Sequence, residues 1–217
     1  GSTATAADYT FYESISTSTQ GFKPETADQG LTGYTKALNL LKNQDEYDIN
    51  MLLLPGILAD KHQKVVTKAI DVCETRGDCF VIVDPCVYDS ALTAATTEAE
   101  AEDTSYAAMY WPWVQIADNK TGKPRWVPPS VVMGGIYAFN DTVAHPWFAP
   151  AGLNRGGIDV AIQAERKLTH SNRDDLYDSN VNPIATFPGQ GICAWGQKTL
   201  QKKSSALDRV NVRRLMI

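Results

Sequence analysis

The chain has 217 residues, 43% of them apolar and 21% charged, with a net charge of −5. That is enough apolar material for one large domain or two small ones with a proper core, and the acidic balance argues against general nucleic-acid affinity, which needs cations concentrated on one face. No apolar run reaches the roughly 20 residues of a membrane span, and the opening GSTATAADYTFYES is polar from its first residue, unlike a secretory leader.

Residues 1–30, rich in Ser, Thr, Gly and Gln, read as loop or extended arm. LTGYTKALNLLKNQ then carries Leu31, Tyr34, Leu38 and Leu41 at helical spacing. YDINMLLLPG is a short apolar run stopped by Pro-Gly, the pattern of a buried strand. DKHQKVVTKAIDVCETRG predicts a helix with Asp60 as N-cap and Gly77 as its C-terminal stop. DCFVIVDP predicts a second buried strand. Helix, strand, helix, strand over residues 31–85 indicates an α/β layer with a parallel pair.

Downstream, Thr97 stands three residues before Glu100, a capping-box spacing that predicts a helix over TTEAEAEDTSYAAM with its acids in the first turn. MYWPWVQIAD is a strand candidate broken by Pro112 at an edge or bulge, and NKTGKPRW is the turn after it. PPSVVMGGIYAFNDTVA predicts a helix opened by proline, with Gly134 and Gly135 admitting a close neighbour. HPWFAPAGLNRGGI, residues 145–158, crowds aromatics, prolines and glycines around Arg155. NRDDLYDSN predicts a short helix, IATFPGQGICAWGQKTL a β-hairpin around Pro188-Gly189, and NVRRLMI an amphipathic run.

Several patterns invite a chemical reading. GQGICA, residues 189–194, fits G-x-G-x-x-A with Asp208 downstream, but a strand rather than a helix is expected after it. ICAW resembles the surroundings of a Cys193 nucleophile, yet His62, His145 and His170 all lie upstream. Trp111, Trp113, Trp126 and Trp147 suggest either an aromatic binding surface or core. Cys73, Cys79, Cys86 and Cys193 lack paired Cys-x-x-Cys spacing, so the expectation is buried free thiols of a reducing compartment, with no metal site and no cofactor.

Taken together, YAAMYWPWVQIAD, KPRWVPPSVVMGGIYAFNDTVAHPWFAPAG, NPIATFPGQGICAWGQKTL and ALDRVNVRRL resemble, in that order, the tail sheath proteins of contractile-tailed bacteriophages of the T-even kind. The carriers are Tyr110–Trp113, Pro128–Ser130 leading to Gly135, Trp147 with Ala149–Gly152, Asn182–Ile184, Trp195–Leu200 and Asn211–Leu215. They span residues 106–217. The upstream block with LLLPG and VIVDP matches more loosely, TADQGLTG is a degenerate form of a family Gly-Gly-x-Asp-Gly, and His145-Pro146 departs from the family's usual glycine before Trp147.

The resemblance implies a mixed α/β (α+β) sheath core domain over residues 31–217, a mixed sheet flanked by helices with a C-terminal β-hairpin, preceded by a loop or arm remnant at 1–30. It implies a fragment without the terminal arms. It implies a structural, non-enzymatic virion subunit, assembled in the host cytoplasm as hexameric rings stacked helically around a tail tube, with tube, baseplate and tail terminator proteins as partners. Contraction of such a sheath drives the tube through the host envelope for genome delivery. HPWFAPAGLNRGGI is then scaffold, and Ile192–Leu200 an exposed edge strand. Lys198, Lys202, Lys203 and Arg209 either meet acidic surface on the tube or a neighbouring subunit, or form a solvated basic rim. The readings from other classes are an α/β hydrolytic or carbohydrate-active enzyme and a tryptophan-lined binding module.

Overall fold

A computed structural model describes residues 29–217; residues 1–28 of the expected arm, with the first three residues of TADQGLTG, lie outside the described residues, and Gln29 and Gly30 already belong to the first helix. The elements are α1 (Gln29–Leu40), β1 (Met51–Leu58), α2 (Ala59–Arg76), β2 (Phe80–Asp84), α3 (Leu92–Ala101), β3 (Ala107–Trp111), β4 (Val114–Ala117), β5 (Pro124–Val127), α4 (Pro129–Val143), β6 (Ala161–Ala164), α5 (His170–Asp178), β7 (Val181–Phe187), β8 (Gly191–Ala194), a 3-10 turn (Ala206–Asp208) and α6 (Val210–Leu215). The main sheet runs β1-β2-β3-β7-β8, and a smaller sheet runs β5-β4-β6. The first four main-sheet strands are mutually parallel, and β8 pairs antiparallel with β7. This is the mixed α/β architecture that the pattern predicted.

The continuous apolar runs in β2 and β3 have a simple cause: both faces are buried. Alternation then sorts the side chains. Val81, Val83, Ala107, Met109 and Trp111 face one core with α1, α2, α3 and Leu176 of α5. Phe80, Ile82, Ala108 and Tyr110 face a second core with α4, β4, β5, β8 and Val210 of α6. Tyr110 and Tyr137 join sheet to helix through a buried hydroxyl pair 2.6 Å apart.

Local corrections follow from tertiary contacts. β1 does not stop at Pro55-Gly56. It continues to Leu58, with Gly56 at φ +89 and the register jumping from Leu53↔Ile82 to Leu58↔Asp84. Asp60 is not the cap of α2: Leu58 occupies that position, and its N–H donates instead to His62 Nδ1 at 3.0 Å. Gly77 is the stop, left-handed at φ 75 and donating to the Cys73 carbonyl. α3 begins five residues before Thr97, whose hydroxyl donates to the Thr93 carbonyl at 2.8 Å. Glu98, Glu100 and Glu102 therefore crowd the negative end of the helix dipole, not its positive end. Glu98 responds with a raised carboxyl pKa, from partial burial first and then from Asp60 and Glu102. MYWPWVQIAD is two strands in two sheets, parted at a cis Trp111–Pro112 peptide.

The expected bare edge at Ile192–Leu200 is also corrected. β8 ends at Ala194, and residues 152–158 cover its outer side: Gly152 N–H and Ala194 N–H bond Ala194 and Gly156 carbonyls, and Ile158 N–H bonds the Ile192 carbonyl, each at 2.8 Å. HPWFAPAGLNRGGI thus acts as scaffold through its second half. Gly156 permits this approach, because a Cβ there would lie 2.6 Å from the Ala194 carbonyl oxygen and 2.8 Å from Ala151 Cα. In α4 the close neighbour meets Gly134 alone: a Cβ would fall 2.7 Å from Leu53 Cδ1, while Gly135 has nothing within 4 Å.

Two substitutions separate these roles. Gly156→Ala should destabilise the chain by roughly 1–3 kcal/mol through overpacking against backbone. Gly135→Ala should be neutral or stabilise by about 0.5–1 kcal/mol, since the helix interior has room for the methyl. Urea unfolding of the two variants beside wild type measures both.

Candidate functional site

The basic candidates are set by the antiparallel return of residues 195–210 along the end of β7. Val210 N–H donates to the Gln197 carbonyl at 2.8 Å and Thr199 N–H to the Asp208 carbonyl at 2.9 Å, placing Lys198 beside Arg209. Lys198, Lys202 and Arg209 line one concavity of about 420 Å³, together with Glu100, Asp178 and Asp208. Lys198 is half-buried: its ammonium donates to the Tyr177 carbonyl at 2.6 Å and stands 4.1 Å from the Tyr177 ring centre. Burial, then the neighbouring Arg209, hold its pKa below the ordinary lysine value. Arg209 pairs with Asp208 at 3.1 Å. Lys203 lies outside the concavity, and Lys202 and Lys203 are both exposed. Lys198 and Arg209 are thus engaged by the groups around them, and the exposed Lys202 and Lys203 carry the outward positive charge.

The features of an enzyme are not brought together. Cys193 is 1% exposed in β8, and burial raises its pKa. His170 is on the open face of α5 with Nδ1 2.7 Å from Asp174. GQGICA is the hairpin turn from β7 into β8, with Gly189 and Gly191 at positive φ. The tryptophans divide: Trp111 and Trp113 are buried, Trp126 leans on Tyr88 at 5.0 Å, and Trp147, 48% exposed, stacks on His145 at 4.1 Å. Among the described residues, no three His, Cys, Asp or Glu side chains converge as a metal site, and no helix is long and apolar enough to cross a membrane.

Instead, residues of the quoted motifs bind one another or distant parts of the fold. Asn182 of Asn-Pro-Ile is fully buried; its amide donates to the Met109 and Lys198 carbonyls at 3.1 and 2.8 Å and accepts from Lys198 N–H at 2.6 Å. Gly196 of Trp-Gly-x-Lys-Thr-Leu lets that happen, since a Cβ there would lie 2.6 Å from Asn182 Oδ1. Trp113 of Tyr-x-Pro-Trp donates from its indole to the Cys86 carbonyl at 2.9 Å, and its backbone N–H donates to Glu165 at 3.1 Å. In Asn-Val-Arg-Arg-Leu, Asn211 donates to the Trp147 carbonyl at 2.8 Å, Arg213 Nε to Ser105 at 3.1 Å, and Arg214 Nη1 to Asp141 at 3.0 Å. Ser130 of Pro-Pro-Ser donates its N–H and hydroxyl to Asp84, at 2.9 and 2.6 Å. These ties have no counterpart in local sequence pattern; an asparagine before proline and an aspartate closing VIVD were the only hints.

Comparison with known proteins agrees with those motifs. The phage tail sheath protein central domain matches residues 30–200. The chain belongs to the phage tail sheath family. The tail sheath protein of Vibrio phage KVP40 is 31% identical over 214 residues, covering 87% of this chain and 32% of the relative. That of Enterobacteria phage T4 is 26% identical over 200 residues, covering 83% and 30%. The chain spans about a third of the length of these relatives. Among solved structures, the sheath complex of the extracellular contractile injection system PVC in its contracted state superimposes with a TM-score of 0.65 at 25% identity, over 82% of this chain and 48% of that one. The anti-feeding prophage baseplate gives 0.64 at 22% identity, over 88% and 48%, a likeness of fold. In this sheath-family chain the motif residues described above thus make packing ties within the domain.

One tie carries a pH signature. Burial pushes the Asp84 carboxyl up to about 7, although the Ser130 hydrogen bonds pull it down. A folded pKa above the unfolded value means that the stabilising contribution is present at low pH and lost as pH rises through about 7. Between about pH 6 and pH 8, wild type should lose on the order of 1 kcal/mol relative to Asp84→Asn. Paired denaturation curves at the two pH values measure the difference.

Proposed function

We propose that this chain is the core region of a structural subunit of a contractile tail sheath. The observation that carries the reading is the match of residues 30–200 to the sheath central domain. In this proposal the subunits form hexameric rings stacked helically around a tail tube, with baseplate and terminator proteins at the ends, inside a virion assembled in the host cytoplasm. Contraction drives the tube through the host envelope and delivers the genome. The relatives named above are phage sheath proteins, and the PVC structure is a sheath in the contracted state, which supports assembly with other sheath subunits.

The mechanism asks for a rigid body that exchanges one discrete set of contacts for another. The ties at Asn182, Asp84, Glu165 and Arg213 support this, because each joins segments far apart in sequence. The role is non-enzymatic in this reading, which the dispersal of Cys193, His170 and the tryptophans supports. Residues 31–217 form the core domain, whose first helix begins at Gln29. Lys198 and Arg209 then serve chiefly inside the subunit, and Lys202 and Lys203 reach acidic surface on a neighbour or the tube.

Electron microscopy of the protein expressed from its complete reading frame tests the function: tubular polymers are expected, and uniformly dispersed monomers at high concentration would overturn it. A second measurement addresses the basic residues. The double variant Lys202→Glu with Lys203→Glu should keep the wild-type melting temperature, because exposed charges contribute little to folding. Its polymers should assemble more weakly and lose much of the salt dependence of wild type, read by light scattering across ionic strength.

A further inference from the structure

The corner between α2 and β2 holds a pair of thiols that the packing ties do not use. Cys73 lies in the last turns of α2 and Cys79 directly precedes β2; Gly77 turns the chain back between them. Their sulfurs share a hydrogen bond at 3.2 Å, and both residues are fully buried. Six residues apart in sequence, they bracket Arg76, a heavily bonded arginine. Arg76 binds both Asp78 carboxylate oxygens, at 2.7 and 2.9 Å, and the Leu41 and Tyr47 carbonyls of the α1–β1 connection. Cys86 and Cys193 have no second cysteine beside them.

We propose that Cys73 and Cys79 form a dithiol modification site that closes to an intrachain disulfide when the protein meets a small peroxide oxidant. Cys79 is the first sulfur to react. The hydrogen bond shared with the Cys73 sulfur lowers its pKa against the opposing effect of burial, and the Arg76 guanidinium adds to the lowering, whereas Cys73 is held protonated by the shared bond and by burial. A lowered thiol pKa beside a cation is what makes a cysteine nucleophilic.

The chemistry balances with hydrogen peroxide as the oxidant. The Cys79 thiolate attacks one peroxide oxygen; the S–O bond forms as the O–O bond breaks, and the departing hydroxide takes up the proton Cys79 released, giving water. The Cys73 sulfur then attacks the Cys79 sulfenic acid; the S–S bond forms, the S–O bond breaks, and a second water leaves with the Cys73 proton. Two thiols are oxidised, and one peroxide is reduced to two waters. Because both sulfurs are buried, the reaction requires transient local opening of the helix end, and a small peroxide needs less opening than a bulky reagent does. The bond closes a short ring around the Arg76 knot and ties the end of α2 to the start of β2. This site does not depend on the sheath reading.

The test is peroxide titration of the native chain, quenched by alkylation in denaturant and mapped by mass spectrometry. The expected product is a Cys73–Cys79 cross-linked peptide pair, lighter by two hydrogens, reversed by dithiothreitol and formed about ten-fold faster than any oxidation of Cys86 or Cys193. Cys73→Ala should leave Cys79 as a sulfenic acid that a dimedone probe traps; if that variant does not fold, the wild-type map still decides. Four unmodified cysteines under peroxide that oxidises free glutathione would overturn the proposal. So would equal oxidation of all four thiols, or cross-links that join separate chains.

Discussion

Parallel pairing of β1, β2, β3 and β7 is the constraint on which the remaining structure depends. Parallel neighbours cannot be joined by a tight turn, so each pair requires a crossover, and each crossover lays material on a face of the sheet. The first two crossovers are the single helices α2 and α3. The third, from β3 to β7, carries the small sheet, α4, the 145–158 loop and α5 before the chain returns. Because the central strands are apolar on both faces, every one of these insertions has a core to cover. The second sheet and the loop are therefore part of the same packing problem as the first four strands.

A sheet closed on its faces still has two edges. β8 is antiparallel, and the stretch from Gly152 to Ile158 saturates its outer side with backbone hydrogen bonds. β1 has one strand neighbour among the described residues, β2. Its Pro55 and Gly56 disturb the register, a device that discourages uncontrolled pairing along an open strand. The two ends of the sheet are thus finished differently, one by a covering loop and one by an irregular strand.

Buried polar groups give the domain its rigidity. Asn182, Asp84 and the glutamate at 165 each make two or more hydrogen bonds to residues distant in sequence, both of those to Asp84 coming from Ser130, and unpairing any of them leaves a desolvated group. That coupling makes gradual deformation costly and movement as a unit cheap. In the proposed sheath role, it is the property that suits a subunit exchanging one set of neighbours for another.

The sequence by itself determined the alternation of helix and strand, the parallel class, the Gly77 stop, the proline start of α4, the hairpin at 188–189 and the burial of the four thiols, because each is written in local periodicity or in a residue with one favoured conformation. It also carried the family, since the motifs from Tyr110 to Leu215 stand in family order even where their roles are invisible. Tertiary structure decided the rest. Where α3 starts, how β1 passes Pro55, which side of β8 is covered and what the basic residues face all depend on neighbours from distant segments. Thr97 and Glu100 satisfy a local capping rule, yet burial of Ala95 and Ala99 against the sheet outweighs it and draws the helix back to Leu92. Lys198 and Arg209 look like surface charge in one dimension, and the return of the chain beside β7 turns them inward, where Tyr177 and Asp208 receive them.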